Sequence, residues 1–210
     1  MQIKIPPIVL TAGSVRLRRL GCPDSGFTDA QLEQDAQLEQ DAQLEQALSS
    51  CPDVVTWTYY PAHLTQEQAC ARIVRSAESA ASGISARYVL EHNGAAVGTA
   101  GIKNSDDAPE IFYALLPIGR GQGTATAAVN LLTGWALKSG APYVALWTQD
   151  GNHASERVAE RAGFRCAEVP SVDLFSAAAG NGVSAAAGNG VSAAAVEDFP
   201  GPRLWTRFPD

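Results

Sequence analysis

A mixed α/β (α+β) fold follows from three features of the amino-acid sequence. Two runs read as strands, Arg87 to His92 and Ala95 to Ile102, are joined by Asn93-Gly94, the strongest short hairpin signal. Between Glu110 and Ser139 a strand gives way to a glycine-rich turn and then to an alanine-rich helix. Along the chain the order reads strand, two helices, three strands, helix, strand, helix, two strands. That order is not the regular alternation of a purely parallel sheet.

The first strand is Val15 to Leu20, where apolar and basic residues alternate as a half-buried strand requires. A helix from about Thr28 to Leu48 follows, capped by Thr28 or Asp29 and built on three copies of Asp-Ala-Gln-Leu-Glu-Gln from Asp29 to Gln46. Leu32, Leu38 and Leu44 are six residues apart, so at about 100° per residue they point in three directions. One or two copies can reach a core, and the rest are expected to prolong the helix. After Pro52, the stretch Val54 to Pro61 reads as an aromatic-rich connection. Thr65-x-x-Gln68 resembles a capping box opening a helix to about Ser79. Beyond the hairpin come a strand from Glu110 to Leu116, ended by Pro117, and a helix from about Thr124 to Ser139. A strand from Tyr143 to Thr148 precedes a short helix from about His153 to Ala162, stopped at Gly163. Phe164 to Val169 and Leu204 to Phe208 supply the last two strands. Between them Ser-Ala-Ala-Ala-Gly-Asn-Gly-Val is repeated, and residues 176–195 are expected to be a flexible Ala/Gly-rich insertion. One domain over 1–210, carrying the repeat-extended helix at 29–46, is the expected organisation.

Composition excludes several classes. Of 210 residues 46% are apolar and 18% charged, and no apolar run approaches the ~20 residues of a membrane span. Met1 to Leu10 lacks the apolar core of a secretory signal, so a cytoplasmic location is expected. Four scattered cysteines and three histidines without ligand spacing argue against a metal or a disulfide framework. Fifteen basic against 22 acidic residues argues against nucleic acid. The hexapeptide copies hold six acidic residues, so the net charge of −7 is mostly local and says little about substrate.

Chemistry is concentrated in the segment from Tyr113 to Thr126, Tyr-Ala-Leu-Leu-Pro-Ile-Gly-Arg-Gly-Gln-Gly-Thr-Ala-Thr. At a helix start the first backbone N–H groups lack internal partners and the macrodipole is positive, which suits a pyrophosphate. Gly121 and Gly123 remove side chains that would block a close approach, and Arg120 adds charge. Alone, this turn is equally an ordinary strand-to-helix connection capped by Thr124.

The next segment adds specificity. Asn152-His-Ala-Ser155 leads into Arg157-Val-Ala-Glu-Arg-Ala-Gly-Phe164. Together with Arg120-Gly-Gln-Gly-Thr-Ala125, which fits a [Gln/Arg]-x-x-Gly-x-[Gly/Ala] signature, it resembles the GNAT superfamily of N-acetyltransferases, in its RimJ/RimL-like branch. The resemblance is strongest from Tyr88 to Glu168. It implies the GNAT fold, a mixed, mostly antiparallel sheet of about 6–7 strands flanked by about four helices. It also implies direct acetyl transfer from acetyl-CoA to a primary amine, with no covalent enzyme intermediate and no metal. The backbone of Ala114, Leu115 and Leu116 would pair with pantetheine. Arg120, Gly121, Gln122, Gly123, Thr124 and Ala125 would hold the pyrophosphate, and Asn152 would contact CoA or cap its helix. Glu110 matches the position of a general base, working through water, and Ser155 that of the hydroxyl near the CoA sulfur. No Tyr follows Ser155 in this helix, where many relatives place their acid.

Trp57, Tyr59, Tyr60 and His63 fall in the connection that lines the acceptor site in this family. The acceptor is expected to be a small-molecule amine or a peptide N-terminus, with neither nucleic acid nor membrane as partner. An acyl carrier protein's phosphopantetheine is the alternative donor, and a silent CoA-binding regulatory module is the rival of another class. Whether the hexapeptide helix makes a homodimer contact is left open.

Overall fold

The structure, a computed structural model, describes residues 2–22, 30–167 and 202–209, with side chains omitted for 30–34. Eight strands form one sheet in the order β1-β2-β3-β4-β5-β6-β8-β7. They are β1 (Val9–Ala12), β2 (Val15–Arg19), β3 (Ser85–His92), β4 (Ala95–Lys103), β5 (Glu110–Leu115), β6 (Val144–Thr148), β7 (Arg165–Cys166) and β8 (Arg203–Arg207). Every neighbouring pair is antiparallel except β5–β6. Asn93 and Gly94, at φ of 51° and 81°, turn the β3–β4 hairpin with both central residues left-handed, as its tight loop requires. The expected insertion at 176–195 lies outside the described residues.

Among the described residues there are five helices: α1 (Ala30–Ser49), α2 (Pro52–Trp57), α3 (Gln66–Ala81), α4 (Thr124–Lys138) and α5 (His153–Arg161). Sheet and helix numbers thus exceed the expected counts by one each. β1 was not anticipated, because a four-residue edge strand behind two prolines carries little pattern. The stretch from Val54, expected as an aromatic-rich connection, begins instead inside α2, which Pro52 opens and beneath which Val54 is buried. The capping box is present. Thr65 Oγ1 accepts from the Gln68 N–H at 3.2 Å, and Gln68 Oε1 accepts from the Thr65 N–H at 2.9 Å.

Two cores sandwich the sheet. On one face Leu17, Tyr88, Ala100, Ile111 and Leu146 pack beneath Ala128, Val129 and Leu132 of α4 and Ala159 of α5. On the other, Val89 and Ala114 meet Leu44 and Leu48 of α1 and Ala69 and Ile73 of α3. Of the two copies whose side chains are described, the third is the one drawn inward. Leu44 is buried and Leu38 only packs at the margin, in line with the drifting leucine phase.

Its acidic residues follow it inside. Asp41 accepts from Arg18 Nη2 at 2.7 Å and Nη1 at 3.1 Å, and from the Gly21 N–H at 2.7 Å. Glu45, four residues on, lies fully buried among basic side chains. Part of the local acidity of the hexapeptides is therefore a structural fastening between α1 and the sheet.

Candidate active site

Beyond β5 the chain turns through one 3₁₀ turn (Pro117–Gly119) and enters α4 at Thr124. The Leu116 N–H donates to Val97 O at 2.9 Å, and a Cβ at Gly119 would press on Val97. This contact docks the turn against β4. Gly121 and Gly123 both lie at left-handed φ, 76° and 74°, so side chains there would strain the backbone. A Cβ at either would meet nothing within 4 Å, so the surface beside them is open.

The first intrahelical bond of α4 runs from the Ala127 N–H to Gly123 O at 3.0 Å. Among the described residues, no protein acceptor receives the N–H groups of Gly121, Gln122, Gly123, Thr124, Ala125 or Thr126. Six consecutive donors at the positive end of a 15-residue helix make an anion cradle. The Thr124 hydroxyl is buried there without a partner, while the Gln122 side chain donates to Ile118 O at 2.8 Å and closes the turn.

Arg120 does not add a free charge to this cradle. Its Nη1 pairs with Asp53 of α2 at 2.7 Å, and its Nη2 and Nε donate to Leu115 O at 3.1 and 3.3 Å. The guanidinium thus ties α2 to the strand end and leaves the cradle's main-chain amides as its donors. Leu115 O and the Leu116 N–H are accordingly occupied within the protein. Ala114 is buried on the α1/α3 face.

Strands β5 and β6 pair only at Glu110↔Ala145 and Ile111↔Leu146. From Phe112 to Leu115, β5 keeps β4 on one side and, among the described residues, has no strand on the other. The gap opens directly before the amide cradle.

Glu110 and Ser155 sit on either side of this opening. Alternation along β5 puts Glu110 and Phe112 on the α1/α3 face, with Ile111 and Tyr113 on the α4/α5 face. Glu110 is half-buried, and its carboxylate has no ion-pair or hydrogen-bond partner among the described residues. On the other face the Tyr113 hydroxyl lies 2.7 Å from Ser155 Oγ. Burial pushes the Tyr113 phenol up to about 12, with the Ser155 bond pulling the other way. It therefore stays protonated at neutral pH. Asn152 Oδ1 accepts from the Ser155 N–H at 3.1 Å, so Asn152 does serve as the cap of α5 and fixes the residue that bears the hydroxyl.

Sequence reasoning sought a tyrosine along α5 and missed Tyr113, which reaches Ser155 from the strand. The available signal was the Tyr at the third-from-last position of β5, on the face that α5 covers.

The four aromatic and histidine candidates separate. Tyr59 is 92% exposed, Trp57 38%, and His63, at φ 53°, is exposed too. Tyr60 alone is buried, donating its hydroxyl to Glu45 Oε1 at 2.6 Å. Trp147, 36% exposed, alternates onto the face of Glu110 and was not anticipated. Among the described residues no cluster of His, Cys, Asp and Glu could hold a metal, and no helix is long and apolar enough to cross a membrane.

A sheet splayed after two parallel pairs, with an amide-lined turn entering the next helix, gives a gap with an anion-binding mouth. The family model of the acetyltransferase (GNAT) domain matches residues 36–165, and the chain belongs to this family of N-acyltransferases. No curated protein matches the sequence. Among solved structures, the chain is similar to RimL, a ribosomal-protein alpha-N-acetyltransferase in complex with coenzyme A, at 16% identity and a TM-score of 0.58, covering 97% of each chain. It is also similar to the microcin self-immunity acetyltransferase MccE in complex with acetyl-CoA and AMP, at 14% identity and a TM-score of 0.66, covering 98% of this chain and 99% of that one. A GCN5-related N-acetyltransferase from Brucella melitensis matches at 16% identity and a TM-score of 0.66, over 99% of this chain and 81% of that one. At these identities the likeness speaks for the fold.

Proposed function

We propose that this protein transfers the acetyl group of acetyl-CoA directly to a primary amine on a small molecule or a peptide N-terminus. The observation that carries the reading is the run of six unpartnered amides from Gly121 to Thr126 beside open space. The neighbours' names support both donor and acceptor class: CoA and acetyl-CoA are bound in RimL and MccE, and RimL acts on a ribosomal protein's α-amine. Acetyl-CoA supplies an activated acetyl thioester.

The chain's residues supply the rest. Amides 121–126 bind the diphosphate, and the unpaired edge of β5 lines the pantetheine slot. An ammonium is not a nucleophile, so Glu110, unpaired and half-buried, removes its proton directly or through water. Ser155 donates a hydrogen bond to the departing sulfur. Tyr113, neutral and 2.7 Å behind it, orients that hydroxyl and can return a proton to it. Asn152 holds the α5 terminus in register for this contact.

Thiol release from acetyl-CoA with a mixed panel of amines tests the reading. Turnover with at least one amine is expected, and Glu110→Gln should lower kcat/KM by about 10²–10⁴-fold, the usual contribution of a general base. Tight CoA binding with no thiol released on any amine would overturn it.

A further inference from the structure

The α1/α3 face carries a second charged site beside Glu110. Glu45, with a fully buried side chain, receives Arg72 Nε at 2.9 Å and Arg87 Nη1 at 3.3 and 3.4 Å. Two guanidinium groups share one carboxylate. The third partner is neutral, since burial above all, and Glu45 after it, pushes the Tyr60 phenol up against the pull of Arg87. Counted over these four side chains, the cluster carries one net positive charge.

Its donors are also underused. Among the described residues Arg72 spends only Nε and Arg87 only Nη1, although each guanidinium has five N–H groups. The spare donors are not sealed in, because the two side chains are 18% and 23% exposed and none of their atoms is buried without a partner.

Aromatic rings fix these guanidinium groups in place. Both stand over Tyr60, at 4.8 and 5.5 Å from its centroid, and Arg87 also stands 5.5 Å from Phe112 of β5. Between Arg87 and Phe112 in the register lies Gly101, where a Cβ would collide with the Phe112 ring. A bare residue on β4 is what lets the two side chains meet across it. Phe112 is two residues from Glu110 on the same face. Arg87 stands two strand spacings away, roughly 10 Å between backbones.

We infer that Arg72 and Arg87 form an anion subsite for the acceptor, which therefore carries a carboxylate or phosphate several bonds from the amine presented to Glu110. This rests on the transferase reading above. The spare N–H groups match an oxyanion, and the planar fork of Arg suits a bidentate one. An acceptor of dipeptide size spans the interval between the two sites.

The test uses the full chain with three acceptor sets on shared scaffolds: dipeptides with a free C-terminal carboxylate, their C-terminal amides, and aminoalkyl phosphates. Expected is a kcat/KM preference for the anionic sets of about tenfold or more, the size of one charge-assisted hydrogen bond. Whichever anionic set is faster names the source of the oxyanion. In Arg87→Gln the preference ratio should collapse, with CoA affinity reporting an intact donor site. Arg72 remains in that variant to neutralise Glu45. In Glu45→Gln, which leaves both arginines uncompensated, the preference should rise, an effect that a purely structural network would not produce.

Equal rates on amides and carboxylates, or an unchanged ratio in Arg87→Gln, would overturn the inference. A separate arm titrates glutarate and inorganic phosphate into the wild type and Arg87→Gln, followed by NMR. If no amine is acetylated, the transferase reading falls. The subsite then stands on saturable anion shifts in the wild type that vanish in Arg87→Gln, and it falls if the wild type shows none.

Discussion

At the scale of single residues, Ser155 and Tyr113 form a hydrogen-bonded pair that neither position announces alone. Ser155 was legible because it follows Asn152 by three, in a motif that a helix cap explains as well. Tyr113 was not, since its role depends on α5 crossing over β5, and a crossing is a tertiary fact without a sequence period. Ser155→Ala should lower kcat about 10–100-fold and Tyr113→Phe by less, both with CoA affinity retained, measured as thiol release. Because burial holds the Tyr113 phenol near 12, its proton is present through the working range. The kcat profile of the wild type should therefore show no descending limb from this group below about pH 10. Such a limb, absent in Tyr113→Phe, would contradict the assignment. Arg120 teaches a related lesson. Its type and position suggested a phosphate contact, yet Asp53, 67 residues away, takes the charge.

At the scale of elements, local chemistry was a good guide wherever one residue type sets the backbone. The Asn93-Gly94 turn and the Thr65/Gln68 box formed as their residues dictate. α2 was hidden because a six-residue segment is too short to show a helical period, and Val54 packs into the core shared with α1. α1 was legible as a helix, but not its wiring. Identical copies look equivalent until the sheet takes the third over the second, and the third buries Asp41 and Glu45 with its leucine. Removing one partner of a buried pair strands the other charge, so Asp41→Ala should cost about 3–5 kcal/mol of unfolding free energy in urea. The same change at Asp35, one copy earlier and exposed, should cost less than about 1 kcal/mol. Equal losses would show that the copies are interchangeable.

At the scale of the whole molecule, a single sheet opens a gap where β5 and β6 part, and the proposed donor and acceptor sites both border it. Two pairs of β5–β6 contact hold the sheet closed, and the divergence beyond them sets the α4 cradle at the mouth of the gap. Glu110 and the arginine cluster line the α1/α3 face, while Tyr113 and Ser155 line the other. The glycine pattern of the turn was readable because left-handed φ and close approach each demand glycine. The splay was not readable from periodicity, since strands that part keep the same alternation as strands that pair; only the family resemblance implied it.

The central claim is that main-chain amides at the start of α4 receive the donor's diphosphate. Amide NMR of the full chain titrated with CoA tests it most directly. Saturable shifts that are largest for the N–H groups of Gly121 to Thr126, and weakened in Gly123→Ala, are the predicted result. Saturable CoA binding that leaves these six resonances in place would contradict it.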